Sequence, residues 1–90
     1  MEQAPPRWIR LDERDNVAVA LTPLKAGEEV LAVTVAEPIA LGHKLALVAI
    51  PEGAEVIKYG EVVGIATTAI APGHHVHVHN VRSARLPGAA

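Results

Sequence analysis

The amino-acid sequence predicts an all-β domain, and three observations support this prediction. Short apolar runs recur roughly every 8–12 residues and are separated by proline or glycine, as is typical of β-sandwiches and barrels. No window of about ten residues has the apolar spacing of a helix. Half of the chain is hydrophobic (50%), yet it contains no phenylalanine, one tryptophan and one tyrosine. The core is therefore expected to consist of valine, isoleucine, leucine and alanine, which suit short strands.

Strands are predicted in chain order at residues 16–21, 30–35, 44–50, 55–58, 62–67 and 75–81. The first of them, rich in valine and alanine, ends at Thr22-Pro23 because proline cannot donate to a strand ladder. The polar, proline- or glycine-containing ends are predicted to be tails. The expected organisation is one compact domain at residues 11–81 between an N-terminal tail, residues 1–10, and a C-terminal tail, residues 82–90.

A weak internal repeat links these strands. Four segments have an apolar residue, two variable residues, glycine, two variable residues and a second apolar residue: LKAGEEV (24–30), IALGHKL (39–45), IPEGAEV (50–56) and IAPGHHV (70–76). The pattern predicts a recurring tight turn, whose glycine has a positive φ, followed by a strand. The spacing of the copies is irregular, which argues against a solenoid.

Composition limits the classes of function. The 90 residues are enough for one small domain, which buries a modest fraction of its surface and benefits from a partner. The net charge of −2, with acids and bases interspersed, argues against nucleic acid or an anionic membrane as partner. The first 15 residues lack the apolar segment of a signal peptide, and no cysteine is present, so we expect a cytoplasmic protein. Self-association through exposed apolar strands stays open.

The segment GHHVHVHN (73–80) contains four of the five histidines. On an extended strand, His75, His77 and His79 share one face, while Val76 and Val78 face the core. Neighbouring histidines about 6.5–7 Å apart at Cα can share a metal ion, which favours the pair His77 and His79. A solvated polar face is the ordinary alternative. An expression tag is disfavoured, because valines interrupt the run.

Three further pairs are candidates for chemistry. His43-Lys44, at the start of a strand, offers an acid–base group and an anion contact. Lys58-Tyr59 contains the only tyrosine, and Asp15-Asn16 offers hydrogen bonds for substrate hydroxyls. Each also has an ordinary explanation as an exposed pair, an aromatic plug or a solvated turn. The sequence has no phosphate-binding loop, no dinucleotide fingerprint and no known nucleophile–histidine–acid order.

Four ordered motifs resemble one family: LDERDNVAVAL (11–21), GHKLAL (42–47), VIKYGEVVGIAT (56–67) and PGHHVHVHNV (72–81). Together they resemble the SAF domain of the altronate/galactarate dehydratase family, and the likeness covers most of the chain. The resemblance implies a β-clip fold and a small subunit that completes a metal-dependent active site with a large dehydratase subunit. The implied reaction eliminates water from a sugar-acid substrate to give a 2-keto-3-deoxy acid.

The resemblance also implies functional residues. The implied catalytic residues are His43, Tyr59, His77 and His79, and the implied substrate-binding residues are Asp15, Asn16, Lys44, Lys58 and Asn80. The cofactor is expected to be a divalent metal, Fe(II) or Mn(II), bound mainly by the large subunit, with at most one or two ligands from His77 and His79. His74 and His75 fall where the family pattern is looser.

Other functions remain open at this stage. A sister activity, elimination of sulfite from sulfolactate, uses the same two-part layout. SAF domains also act as non-catalytic carbohydrate-binding or assembly modules, and a histidine-rich module that binds metal by itself is a third possibility.

Overall fold

The computed structural model of the chain describes residues 5–84, and its regular elements in that range are all β-strands. Their bounds are β1 Trp8–Ile9, β2 Val17–Ala20, β3 Glu29–Val30, β4 Val33–Thr34, β5 Lys44–Ala46, β6 Glu55–Lys58, β7 Glu61–Ala66, β8 His75–Val76 and β9 Val81–Arg82. The all-β prediction is confirmed. In this described range, no helix is long and apolar enough to cross a membrane.

The strands form three small antiparallel groups. The largest is a four-stranded sheet in the order β1-β2-β5-β8, and the second is the β3–β4 hairpin. The third is a sheet in the order β6-β7-β9. Backbone hydrogen bonds between residues distant in sequence join the groups. For example, Asn16, just before β2, donates its N–H to the carbonyl of Ile57 in β6 at 3.2 Å.

The predicted repeat is confirmed as four turns of one type. In each turn, the residue after the glycine donates its backbone N–H to the carbonyl three residues earlier, at 3.1, 2.9, 3.0 and 3.2 Å. The glycine is the third residue of every turn and has a φ between 83° and 96°. Glycine is favoured at this point because a side chain would strain a positive φ. The four positions are Gly27, Gly42, Gly53 and Gly73.

Each repeat begins and ends with a buried apolar residue, and the repeats work in pairs. Leu24 and Ile39 exchange backbone hydrogen bonds at 2.9 and 3.0 Å, and Ile50 and Ile70 do so at 2.8 Å in both directions. The first pair of repeats supplies four members of one core cluster, and the second pair supplies four members of the other. β2 and β5 contribute residues to both clusters and therefore connect them.

The prediction of one strand at 30–35 is wrong. The chain reverses at Leu31 and Ala32, whose φ values are 48° and 67°, and forms the β3–β4 hairpin. Positive φ at both central residues matches the twist of a two-residue hairpin. The reversal lacks the usual Asn-Gly signal, and both turn residues are exposed, so apolar periodicity could not reveal it. The strand predicted at 44–50 is also shorter, because β5 ends at Ala46.

The prediction of one strand at 75–81 is wrong as well. β8 ends at Val76, residues 77–80 form a turn, and β9 belongs to a different sheet. Val76 is buried as expected, whereas Val78 is 80% exposed. Since the chain turns, the alternation of histidine and valine does not describe two faces of a strand.

Some residues that the sequence assigned to the two tails lie in strands of the domain. Trp8 and Ile9, assigned from sequence to the tail at residues 1–10, pair with Ala20 and Val19 in β2. Arg82, assigned to the tail at residues 82–90, lies in β9 and pairs with Ile65 in β7. The remainder of the predicted tails at residues 1–4 and 85–90 lies outside the described residues.

We expect Gly73→Ala to destabilise the domain more than Gly53→Ala. Both glycines have nearly the same φ, 84° and 85°, so each alanine carries a backbone cost of about 1–2 kcal/mol. A Cβ on Gly53 meets nothing within 4 Å, whereas one on Gly73 would clash with the backbone carbonyl of Thr34. Urea unfolding of both variants measures the difference. Equal losses would contradict the close packing at Gly73.

Candidate functional site

Pairing of β5 with β8 brings together three histidines from two segments that are distant in sequence. Lys44 lies opposite Val76 and Leu45 lies opposite His75. His43 directly precedes β5 because the glycine turn of its repeat ends there, and it reaches the histidines of the β8 segment. The glycine turn and the register of β5 with β8 therefore determine which residues of the β8 segment His43 contacts.

The three imidazole rings are in close contact. Nδ1 of His43 lies 2.8 Å from Nε2 of His75, within hydrogen-bond distance. The ring of His43 stacks on that of His77, with centroids 3.7 Å apart and planes inclined by 11°. One nitrogen from each of His43, His75 and His77 lies within 4.8 Å of the other two. Such a group of imidazoles can bind one metal ion.

Burial and mutual repulsion lower the pKa values of His75 and His77 and so favour their neutral forms. Burial is the main cause that lowers the pKa of His75, and the neighbouring histidines lower it further. The pKa of His77 is lowered by burial and then by the charges of His43 and Lys44. Nδ1 of His77 is buried and has no hydrogen-bond partner among residues 5–84. Metal ligands must be unprotonated, so neutral rings with a free nitrogen suit a metal site.

Asn80 holds the turn that carries His77. Its Oδ1 accepts from the backbone N–H of His77 at 2.9 Å, and its Nδ2 donates to the carbonyl of His75 at 2.8 Å. Asn80 is buried, and its own N–H donates to the carbonyl of His77 at 3.1 Å. Asn80, predicted to bind substrate, thus has both groups of its amide bonded to the backbone of the histidine segment.

Glu37 is part of this site, although no sequence pattern singles it out. Its Oε2 accepts from the backbone N–H of His75 at 3.0 Å and contacts Nδ1 of His74 at 3.2 Å. The bond from His75 is the main cause that lowers the pKa of Glu37. A glutamate in a loop carries no periodic signal, and only the packing of the Glu37 loop against β8 reveals its position.

Lys44 and Lys58 form the cationic side of the site. Lys44 is half-buried, and burial followed by the charge of Lys58 lowers its pKa. The charge of Lys44 in turn lowers the pKa of His77, so this lysine acts on the histidine cluster. Nζ of Lys58 lies 5.2 Å from the ring centroid of Tyr59, a cation–π contact. Tyr59 has a φ of 57° at the β6–β7 turn.

Asp15 and Asn16, predicted to bind substrate, hydrogen-bond to the protein backbone. Asp15 is buried and accepts N–H groups of Leu11, Asp12 and Gly60 at 3.3, 3.2 and 2.8 Å. Asn16 donates to the carbonyl of Glu55 and accepts from Ile57, at 2.9 and 2.8 Å. Both residues therefore join the segment before β2 to the β6–β7 hairpin that carries Lys58 and Tyr59.

His79 lies beside the cluster but outside the group of three. Its ring centroid is 4.9 Å from that of His75, at a tilt of 31°. The side chain is exposed, and it makes no hydrogen bond to the part of the chain that the structure describes. The spacing argument paired His77 with His79, but in the folded chain His43 and His75 are the histidines grouped with His77. Only the sheet register could show this, because His43 is distant in sequence.

Fold and site define a class of protein, a small β domain built on glycine turns that carries a histidine cluster beside two lysines. Comparison with known proteins identifies the family of this domain. A family model described as the altronate/galactarate dehydratase SAF domain matches residues 6–84. The chain belongs to this family.

Curated relatives carry the names of lyases. The altronate dehydratase of Escherichia coli K12 is 48% identical over 81 residues, which are 86% of this chain and 16% of that protein. The galactarate dehydratase (L-threo-forming) of the same organism is 42% identical over 69 residues, or 73% of this chain and 13% of that protein. The (2R)-sulfolactate sulfo-lyase subunit alpha of Chromohalobacter salexigens is 45% identical over 51 residues, 57% of this chain and 54% of the subunit. The chain thus spans about a sixth of the altronate dehydratase it matches.

We expect the stability of the metal-free chain to fall as the pH drops below about 6.5, the pKa of histidine in the unfolded chain. The folded-state pKa values of His75 and His77 are lowered, so the unfolded chain binds more protons in this range. Stability therefore rises with pH up to about 6.5 and is then constant with respect to these two groups. Urea unfolding with a chelator, between pH 8 and pH 5, measures this. His77→Gln should reduce the slope, and an unchanged slope would contradict the burial argument.

Proposed function

We propose that this chain supplies the SAF part of a sugar-acid dehydratase and completes, with a large catalytic subunit, a metal-dependent site that eliminates water to form a 2-keto-3-deoxy acid. The observation that carries the proposal is the group of His43, His75 and His77, with nitrogens within 4.8 Å of one another. The relatives named as dehydratases support the substrate class, since they match most of this chain.

The residues present fit a divalent metal ion. His77 offers a buried nitrogen that has no hydrogen-bond partner in the described part of the chain, and His43 and His75 offer nitrogens that bond to each other in the metal-free chain. Ion binding would replace the bond between His43 and His75, because a ligating nitrogen carries no proton. Imidazole suits iron better than manganese, so the donor set favours Fe(II) of the two expected ions. When bound, the ion would act as a Lewis acid toward a substrate oxygen.

The grouping of His43, His75 and His77 suggests that this chain contributes more metal ligands than the sequence spacing indicated. From spacing, this chain was expected to give at most one or two ligands, from His77 and His79. We propose instead that His43, His75 and His77 hold the ion, and that the large subunit supplies further ligands. This leaves His79 available for other chemistry.

The other site residues would bind and move protons around the substrate. Removal of the proton α to a carboxylate needs a base, and the leaving hydroxide needs an acid. His79 is an exposed imidazole with both ring nitrogens free of hydrogen bonds among residues 5–84. We assign it the acid–base role. Lys44 and Lys58 would bind the substrate carboxylate, and Tyr59 would position Lys58 through their 5.2 Å contact.

A partner chain is implied by the incompleteness of the site. The cluster is partly exposed. Val78 directly follows His77 and is 80% exposed, and Leu41, two residues before His43, is 62% exposed. Exposed apolar residues beside an unfinished polar site favour a surface that another polypeptide covers. We propose that the large dehydratase subunit covers this face.

A sulfo-lyase small subunit is the second candidate, and one observation favours it. The relatives named (2R)-sulfolactate sulfo-lyase subunit alpha are separate small chains, and this chain matches 70% of the one from Paracoccus pantotrophus. Elimination of sulfite would use the same base and the same carboxylate contacts.

Reconstitution tests the proposed function. The purified chain, its candidate large subunit and Fe(II) or Mn(II) are combined, and formation of 2-keto-3-deoxy acid from a panel of sugar acids is assayed beside sulfite release from sulfolactate. We expect activity only with both chains. Removing one group that acts in general acid–base catalysis costs about 100-fold or more, so His79→Ala should reduce kcat by this order. Full activity of the large subunit alone would contradict the proposal.

Metal binding by the chain tests the assigned ligands directly. In a Co(II) titration followed by visible absorption, we expect one ion to bind, and we expect the variants His43→Ala, His75→Ala and His77→Ala each to weaken binding by at least about tenfold. His79→Ala is the matched control and should change the affinity by less than about twofold. Equal losses in all four variants would contradict the assignment of the three ligands.

A further inference from the structure

A cavity adjoins the histidine cluster, and neither Lys44 nor Lys58 is among its lining residues. It has a volume of about 230 Å³ and is lined by Glu37, His74, His75, His79 and the segment 69–71, among others. His75 belongs both to this cavity wall and to the group of three histidines. A ligand at the histidine cluster can therefore extend into the cavity, which we call the Glu37 cavity.

The polar groups in the Glu37 cavity have unused hydrogen-bonding capacity. Glu37 uses Oε2 for His75 and His74, while its Oε1 has no partner among residues 5–84. His74 uses Nδ1 only, and its other ring nitrogen is likewise free in that range. A carboxylate oxygen accepts, and an imidazole donates or accepts according to its tautomer. Hydroxyl groups, which both donate and accept, match this combination.

Charges of opposite sign act on different histidines of the cluster. The positive charge of Lys44 acts on His77, and that of Lys58 acts on Lys44. The carboxylate of Glu37 accepts from the backbone N–H of His75 and contacts Nδ1 of His74. A negatively charged ligand group is attracted to the lysines and repelled by the carboxylate. A ligand with a carboxylate at one end and neutral hydroxyls at the other would bind in one orientation.

We propose that the Glu37 cavity binds the hydroxylated end of an open-chain sugar acid whose carboxylate lies toward Lys44 and Lys58. Glu37 and His74 then become specificity-determining residues, because they contact hydroxyls that a short acid lacks. The inference rests on the proposed function, since it takes the substrate class and the carboxylate contacts from it.

NMR titration of the ¹⁵N-labelled chain tests the cavity. D-altronate, with six carbons, and D-glycerate, with three, are added separately up to tens of millimolar, the range of weak ligands. We expect altronate to shift the amide signals of Glu37, His74 and residues 69–71 as well as those of Lys44 and Lys58. Glycerate is expected to shift the lysine signals alone.

One variant and a matched control test the role of the Glu37 carboxylate. Glu37→Gln keeps an oxygen that can accept from His75 but loses the charge, and we expect it to weaken altronate binding at least fivefold, with glycerate binding changed by less than twofold. Glu52→Gln removes the same charge from an exposed turn residue and should change neither.

Three results would overturn the cavity proposal. Altronate shifts at the lysines without shifts around Glu37 would do so and leave the proposed function standing. Equal shifts around Glu37 with both acids would remove the selectivity for hydroxylated chains. The absence of any shift would also overturn it, while the Co(II) titration, which uses no sugar acid, decides separately whether the proposed metal site exists.

Discussion

The structure depends on one local constraint, a glycine with positive φ at the third position of a tight turn. The constraint is repeated four times, and each turn delivers the chain to a strand whose first buried residue is set by the spacing of the repeat. Leu24, Ile39, Ile50 and Ile70 enter the core before the turns, and Val30, Leu45, Val56 and Val76 enter it after them. A chain with no phenylalanine can fill its core in this way because short branched side chains pack closely where strands are short.

The same constraint builds the histidine cluster. Two of the four turns end in histidine, His43 and His74, and the strands that follow these turns are neighbours. Antiparallel pairing of β5 with β8 then places His43 against His75 and His77. A shift of this pairing by one residue would move all side chains of β8 to the opposite face, so the core residues of the two strands also fix the geometry of the cluster.

Polar side chains hold the segments that the strands leave irregular. Asn80 closes the turn after β8, Asp15 fastens the β6–β7 turn to the segment before β2, and Glu37 joins its loop to β8. Each is partly or wholly buried, and its hydrogen bonds go mainly to backbone N–H groups that would otherwise lack partners. Asp15 and Asn80, which the family resemblance predicts to bind substrate, thus also hold the shape of the site through these bonds.

The sequence alone determined the β class, the positions of the four glycine turns and the apolar residues around them, because these are local properties of a short segment. It also determined the family through four ordered motifs, a likeness that the family model over residues 6–84 confirms. Tertiary structure decided which histidines meet. Alternation along 75–81 suggested a straight strand and a pair of neighbours, but Asn80 turns the chain there, and sheet pairing brings His43 from a distant repeat. Contacts between residues far apart in sequence depend on register and sheet order, and no local pattern records either of them.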